Sequence, residues 1–140
     1  METDNTIKPV ILIVEDHDAL RTSMCRWLSE LFPCVECHEA TSGEDAVIAA
    51  KKVHPLAILM DIGLPGINGI EAMKVIKQND PSTHIVVLTI LEGDHYQYIA
   101  TNAGATAFVP KQTMYKKLPL VLEPILNCKN KPMQTVGAII

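Results

Sequence analysis

The chain has 140 residues, a formal charge of −4 and an apolar fraction of 48%. That is enough for one domain with a real core, and it excludes a disordered chain or a basic coat for nucleic acid. The apolar runs are of strand length, too short to span a membrane. The start, METDNTIKP, lacks the basic and apolar regions of a secretory signal, so the expected location is the cytoplasm.

Val10 to Val14 is a continuous apolar run after Pro9, as in a strand buried on both faces, and Glu15 and Asp16 close it. Asp16 or Asp18 is expected to cap the next helix, in which Leu20, Met24, Trp27, Leu28 and Leu31 recur at helical spacing. Pro33 ends it, and Val35 to Ala40 forms a second strand. Ser42 and Asp45 resemble a capping box for a helix with a small-residue face, Ala46, Ala49, Ala50 and Val53. Of the four cysteines, Cys34 and Cys37 have C-x-x-C spacing but no second pair to complete a zinc site. On a strand this spacing sends them to opposite faces, so buried or edge thiols are expected. His38 and His54 read as surface or loop residues.

The third strand ends in Asp61, followed by a turn rich in glycine and proline: Gly63, Pro65, Gly66 and Gly69. A carboxylate there, at the carboxyl end of a buried strand, stands where open α/β sheets place their sites. A helix with Ile70, Met73 and Ile76 inward runs to about Asn79, and His84 to Thr89 is a fourth strand. Tyr96 to Ala103 reads as a helix stopped by Gly104, and Thr106 to Val109 as a fifth strand just before Lys111. In the last helix Pro119 suits the first turn, whereas Pro124 interrupts the apolar pattern and predicts a kink or an early end. The alternation predicts an α/β fold: a doubly wound, five-stranded parallel sheet with helices on both faces.

Right-handed crossovers carry the strand ends, and with them Glu15, Asp16, Asp61, Thr89 and Lys111, to one edge of that sheet. Three clustered carboxylates repel unless a cation lies between them, and an all-oxygen set favours Mg²⁺ or Mn²⁺. A lysine and a hydroxyl beside them suit a phosphoryl group, with a carboxylate as nucleophile.

The chain resembles a response-regulator receiver domain of two-component signalling. The likeness runs from about Lys8 to Leu126 and rests on ILIVEDHDALR, LMDIGLPGINGIEAM, VVLT and NAGATAFVPK. The wording is most similar to the subfamily whose members usually carry a helix-turn-helix output domain. The resemblance implies a flavodoxin-like fold and a receiver over residues 1–128; the tail over 129–140 is expected to be too short for an output domain, which leaves a single-domain regulator and a piece of a longer protein as the two alternatives. It implies Asp61 as phosphoacceptor, and Glu15, Asp16, Asp61 and the Gly63 carbonyl as Mg²⁺ ligands. Thr89 and Lys111 then contact the phosphoryl oxygens, and Thr89 and Phe108 form a switch acting through the fourth helix, fifth strand and last helix. The implied partners are a histidine kinase or phosphotransfer protein and an output protein or domain, with a homodimer allowed. Direct nucleic-acid or membrane binding by this segment is not expected. Such a protein catalyses its own phosphorylation and dephosphorylation without being a conventional enzyme.

Three positions depart from the family pattern. Ile90 stands where a small residue is common, Gln112 replaces the proline that often follows the lysine, and the loop before the last helix is expected to be long. Two other readings compete: a Mg²⁺-dependent phosphatase with an Asp nucleophile, and an inactive receiver-like binding module. Ile62, Gly63 and Leu64 offer no general acid after the nucleophile, which disfavours the first. The intact acid set and Lys111 disfavour the second.

Overall fold

The computed structural model describes residues 8–63, 68–90 and 94–127. Its five strands are β1 (Val10–Val14), β2 (Glu36–Ala40), β3 (Ala57–Asp61), β4 (His84–Thr89) and β5 (Ala107–Pro110). They form one parallel sheet in the order β2-β1-β3-β4-β5. The helices are α1 (Asp18–Leu31), α2 (Gly43–Val53), α3 (Gly69–Asn79), α4 (Asp94–Asn102) and α5 (Met114–Leu126). This is the fold class that the alternating pattern predicts.

Two-residue periodicity divides the core into two layers. Ile11, Ile13, Ala57, Leu59, Val86, Leu88 and Val109 face α1 and α5. Leu12, Val14, Ile58, Met60, Ile85 and Val87 face α2, α3 and α4. Because both faces are covered, the inner strands read as unbroken apolar runs. The chain leaves β1 toward β2 on one side, then crosses back and runs from β3 to β5 on the other. The sheet therefore reverses direction between β1 and β3, which opens a crevice beyond their carboxyl ends.

Side-chain caps start three of the helices. Ser42 Oγ accepts from the Asp45 amide at 3.1 Å, as the capping-box spacing predicts. Asn68 Oδ1 accepts from Glu71 N at the start of α3. Neither Asp16 nor Asp18 caps α1: His17 does, its Nδ1 accepting from Leu20 N at 3.1 Å. Gly69 belongs to the first turn of α3 rather than to the preceding turn, while Pro65 and Gly66 lie outside the described residues.

The expectations for the last helix need correction. A single 3-10 turn, Lys111–Thr113, follows β5, and α5 runs unbroken from Met114 to Leu126. There is no long loop; Pro119 is interior, and Pro124 does not end the helix. Met114, Leu118, Leu122 and Leu126, each four residues apart, are all buried. At roughly 1.5–3 kcal/mol for each buried side chain, that stripe outweighs about 3 kcal/mol for an interior proline. Pro124 lies on the exposed side, away from this packing. Pro124→Ala should therefore stabilise the fold by about 2 kcal/mol, after allowing for the freedom the unfolded chain regains. A raised urea midpoint followed through Trp27 fluorescence checks this; an unchanged or lowered midpoint refutes it.

Candidate phosphoacceptor and metal site

The crevice beyond β1 and β3 gathers the acidic residues. Glu15, Asp16 and Asp61 each offer a carboxylate oxygen, and these oxygens lie within 4.8 Å of one another. They differ in setting: Glu15 is 3% exposed, Asp61 is partly buried and Asp16 faces solvent. The oxygen-only chemistry of this set fits Mg²⁺ or Mn²⁺, which accept one or two carboxylates and keep several waters.

Lys111 reaches the same crevice from the end of β5. Its Nζ donates to Glu15 Oε1 at 2.7 Å and to Asp61 Oδ2 at 3.1 Å. Burial is the largest influence on this ammonium and pulls its pKa down. The hydrogen bond to Glu15 and the charge of Asp61 together prevail and hold it above the usual lysine value.

The Glu15 and Asp61 carboxylates are also gripped by backbone. The Glu15 Oε2 atom accepts from His17 N at 3.1 Å, and Asp61 Oδ1 accepts from Gly63 N at 2.9 Å. The start of α3 presses on the end of β3. A methyl group on Gly69 would stand 2.5 Å from the Asp61 carbonyl oxygen and 2.6 Å from the Ile62 Cα, so only glycine lets the helix come this close.

Thr89 ends β4 and is 1% exposed; Ile90, next to it, is 70% exposed. Phe108 lies opposite Val87 in the β4–β5 register. It is half-buried, packing against the layer of α2, α3 and α4, to which Tyr96 also adds. Thus Glu15, Asp16, Asp61 and Lys111 converge directly, while Thr89 and Phe108 occupy the neighbouring strands toward α4.

Among the described residues, no cysteine joins the acidic cluster. Cys34 lies in the turn before β2, not on the strand, and is disulfide-bonded, contrary to the expected thiol. Cys25 and Cys37 are free. Burial, with Cys37 and Glu39 nearby, pushes the Cys25 thiol up to about 12. Burial, aided by Glu39, also raises Cys37, so neither presents a thiolate for metal at neutral pH.

Residue-by-residue reading missed two contributors. His17 closes Glu15 from the helix side, and Arg21 binds the Glu15 carbonyl from the first turn of α1, Nη1 to O at 2.9 Å. The only sequence signal for Arg21 is its place three residues after Asp18, with which it pairs at 2.8 Å.

Comparison with known proteins agrees with this geometry. The family profile described as "Response regulator receiver domain" matches residues 11–123. Response regulator GacA of Pseudomonas aeruginosa is 34% identical over 101 residues, 72% of this chain and 47% of that protein. Response regulator protein VraR of Staphylococcus aureus is 32% identical over 113 residues, 81% of this chain and 53% of that protein. The chain spans about half the length of the curated relatives it matches. A crystal structure of a two-component response regulator, LuxR family, from Aurantimonas sp. has a TM-score of 0.80 at 30% identity, covering 86% of each chain.

Removing Lys111 leaves Glu15 and Asp61 facing each other without their internal cation. Lys111→Ala should lose about 2–4 kcal/mol of stability at neutral pH, below the full range for a wholly buried pair because Asp61 is partly solvated. Added Mg²⁺ should then raise the melting temperature of this variant more than that of the wild type. In the wild type the folded-state pKa of Lys111 lies above its unfolded value. Its contribution is therefore complete below about pH 10.5 and is lost as pH climbs through the folded value. Thermal melts with and without Mg²⁺ check both points; equal stability of variant and wild type in metal-free buffer refutes them.

Proposed function

This chain belongs to the response-regulator receiver family, and from that premise we propose that it is a phosphorylation-dependent signalling switch with Asp61 as phosphoacceptor. The observation that carries the reading is the convergence of three carboxylates on one crevice with the Lys111 ammonium bridging two of them. A histidine kinase or phosphotransfer protein supplies the phosphoryl group. An oxygen of the Asp61 carboxylate attacks phosphorus, and the bond from phosphorus to the donor breaks. The electron pair leaves with the donor, and the product is an aspartyl phosphate. Attack by water later returns the carboxylate and inorganic phosphate, so the chain acts on itself rather than turning over a separate substrate.

Glu15, Asp16, Asp61 and the carbonyl of Gly63 are the proposed holders of Mg²⁺, with Mn²⁺ an acceptable substitute. When bound, the ion offsets the negative charge of the carboxylates and of the incoming phosphoryl group. Lys111 already lies against Asp61 and has only to follow the phosphoryl oxygens as they arrive. Thr89 supplies a hydroxyl from the end of β4. No residue from Ile62 to Leu64 can serve as a general acid, which tells against the phosphatase alternative.

Incubation with acetyl phosphate and Mg²⁺ tests the assignment. Intact mass should rise by one phosphoryl group in the wild type and not in Asp61→Asn, which keeps the shape without the nucleophile. Labelling of Asp61→Asn at the wild-type level moves the acceptor elsewhere.

The proposed signal runs from Thr89 to Phe108. Drawing Thr89 toward a phosphoryl oxygen opens space for the Phe108 ring, shifting the population of a two-state element made of α4, β5 and α5. A difference of about 1–3 kcal/mol between states is sufficient for a useful switch. The output protein or domain reads this face, and whether it belongs to the same polypeptide is separate from this chemistry. Hydrogen exchange with beryllofluoride should change across residues 94–102 and 107–126. Changes confined to the loops around Asp61 refute this route.

A further inference from the structure

Arg21 is the most heavily engaged side chain on α1, and the chemistry proposed above gives it no role. Its side chain is 12% exposed, and the guanidinium makes three contacts with three parts of the chain. Nη1 donates to the Glu15 carbonyl at 2.9 Å, Nη2 pairs with Asp18 Oδ1 at 2.8 Å, and Nε donates to Glu39 Oε1 on β2 at 2.8 Å. The Glu15 amide in turn donates to the Ala40 carbonyl at the end of β2 at 3.1 Å. The main chain of Glu15 is thus held from both sides, by β2 and by Arg21.

The carbonyl that Arg21 holds belongs to the peptide joining Glu15 to Asp16. That peptide is planar, so fixing its carbonyl fixes the plane and the direction in which Asp16 leaves it. Glu15 is secured through its own carboxylate, by Lys111 and by the His17 amide. Asp16 is exposed and depends on the direction of its backbone.

We infer that Arg21 is a positioning residue for the acidic site: by clamping the Glu15–Asp16 peptide to α1 and β2, it aims the Asp16 carboxylate at the metal position beside Asp61. The inference rests on the metal reading of Glu15, Asp16 and Asp61. The planar fork of arginine suits the task because it serves three acceptors in fixed directions, whereas an ammonium is a compact point charge without such a fork. Groups that orient metal ligands typically change metal affinity by about 10–100-fold when removed.

Charge alone predicts the opposite result. Deleting a cation close to an acidic cluster strengthens the field there and tightens Mg²⁺ binding. The test is a Mg²⁺ titration of the full chain, followed by the amide resonances of Glu15, Asp16 and His17, for wild type, Arg21→Ala and Arg21→Lys. Each protein is measured at a temperature where circular dichroism shows it fully folded. The apparent Kd should rise about tenfold in Arg21→Ala and several-fold in Arg21→Lys, with the Asp16 amide already displaced before metal is added. If Arg21→Ala does not fold, Arg21→Lys carries the test. A wild-type or tighter Kd in either folded variant overturns the role of Arg21 and leaves the metal reading standing. Absence of any Mg²⁺-dependent shift in the wild type overturns the metal reading and the role of Arg21 together.

Discussion

Mutual repulsion among three carboxylates is the constraint on which the site is built. Glu15, Asp16 and Asp61 approach within 4.8 Å, a separation that is unfavourable for like charges in a partly buried crevice. The chain relieves it from within, by placing the Lys111 ammonium against Glu15 and Asp61. Lys111 directly follows β5, the strand farthest in sequence from β1, so this contact also ties the two ends of the fold together. The sheet supplies the means. All five strands are parallel, so each delivers its last residue to the same edge.

The backbone around the crevice is as specific as its side chains. Gly69 allows the start of α3 to rest on the Asp61 carbonyl, and the Gly63 amide closes on Oδ1 of the same residue. On the other strand, the His17 amide and Arg21 hold Glu15 through its carboxylate and its carbonyl. Polar groups fixed in this way need little rearrangement when charge arrives, the condition under which electrostatic stabilisation is most effective. The acid at the rim, Asp16, stays open to solvent.

Two further features follow from packing and exposure. Helix α5 carries two prolines and still runs its full length, because its buried leucine and methionine stripe is continuous while Pro124 sits on the side away from the sheet. On the outer side of the same helix, Leu120 is 70% exposed, and Tyr115 meets Trp27 of α1 with ring centroids 4.7 Å apart. Beside the site, Ile90 is an exposed branched side chain.

The order of strands and helices, a sheet covered on both faces and the residues that close the first four strands were legible in the sequence, while the fifth strand runs one residue further than its pattern predicts. They follow from periodicities of 2 and 3.6, which are properties of neighbouring residues. Asp61 stood out for the same reason, as a polar residue ending an apolar run before a glycine turn. Burial of Glu15 and exposure of Asp16 were not legible, since the two are adjacent acids and only the packing of α1 and β5 distinguishes them. Nor were the grip of Lys111 on Glu15 across 96 positions of sequence, the reach of Arg21 to β2, the disulfide at Cys34, or the survival of α5 through Pro124. Each of these depends on which elements become neighbours in space. Tertiary packing decides that, because the free energy of one proline or one ion pair is small beside that of the side chains buried around it.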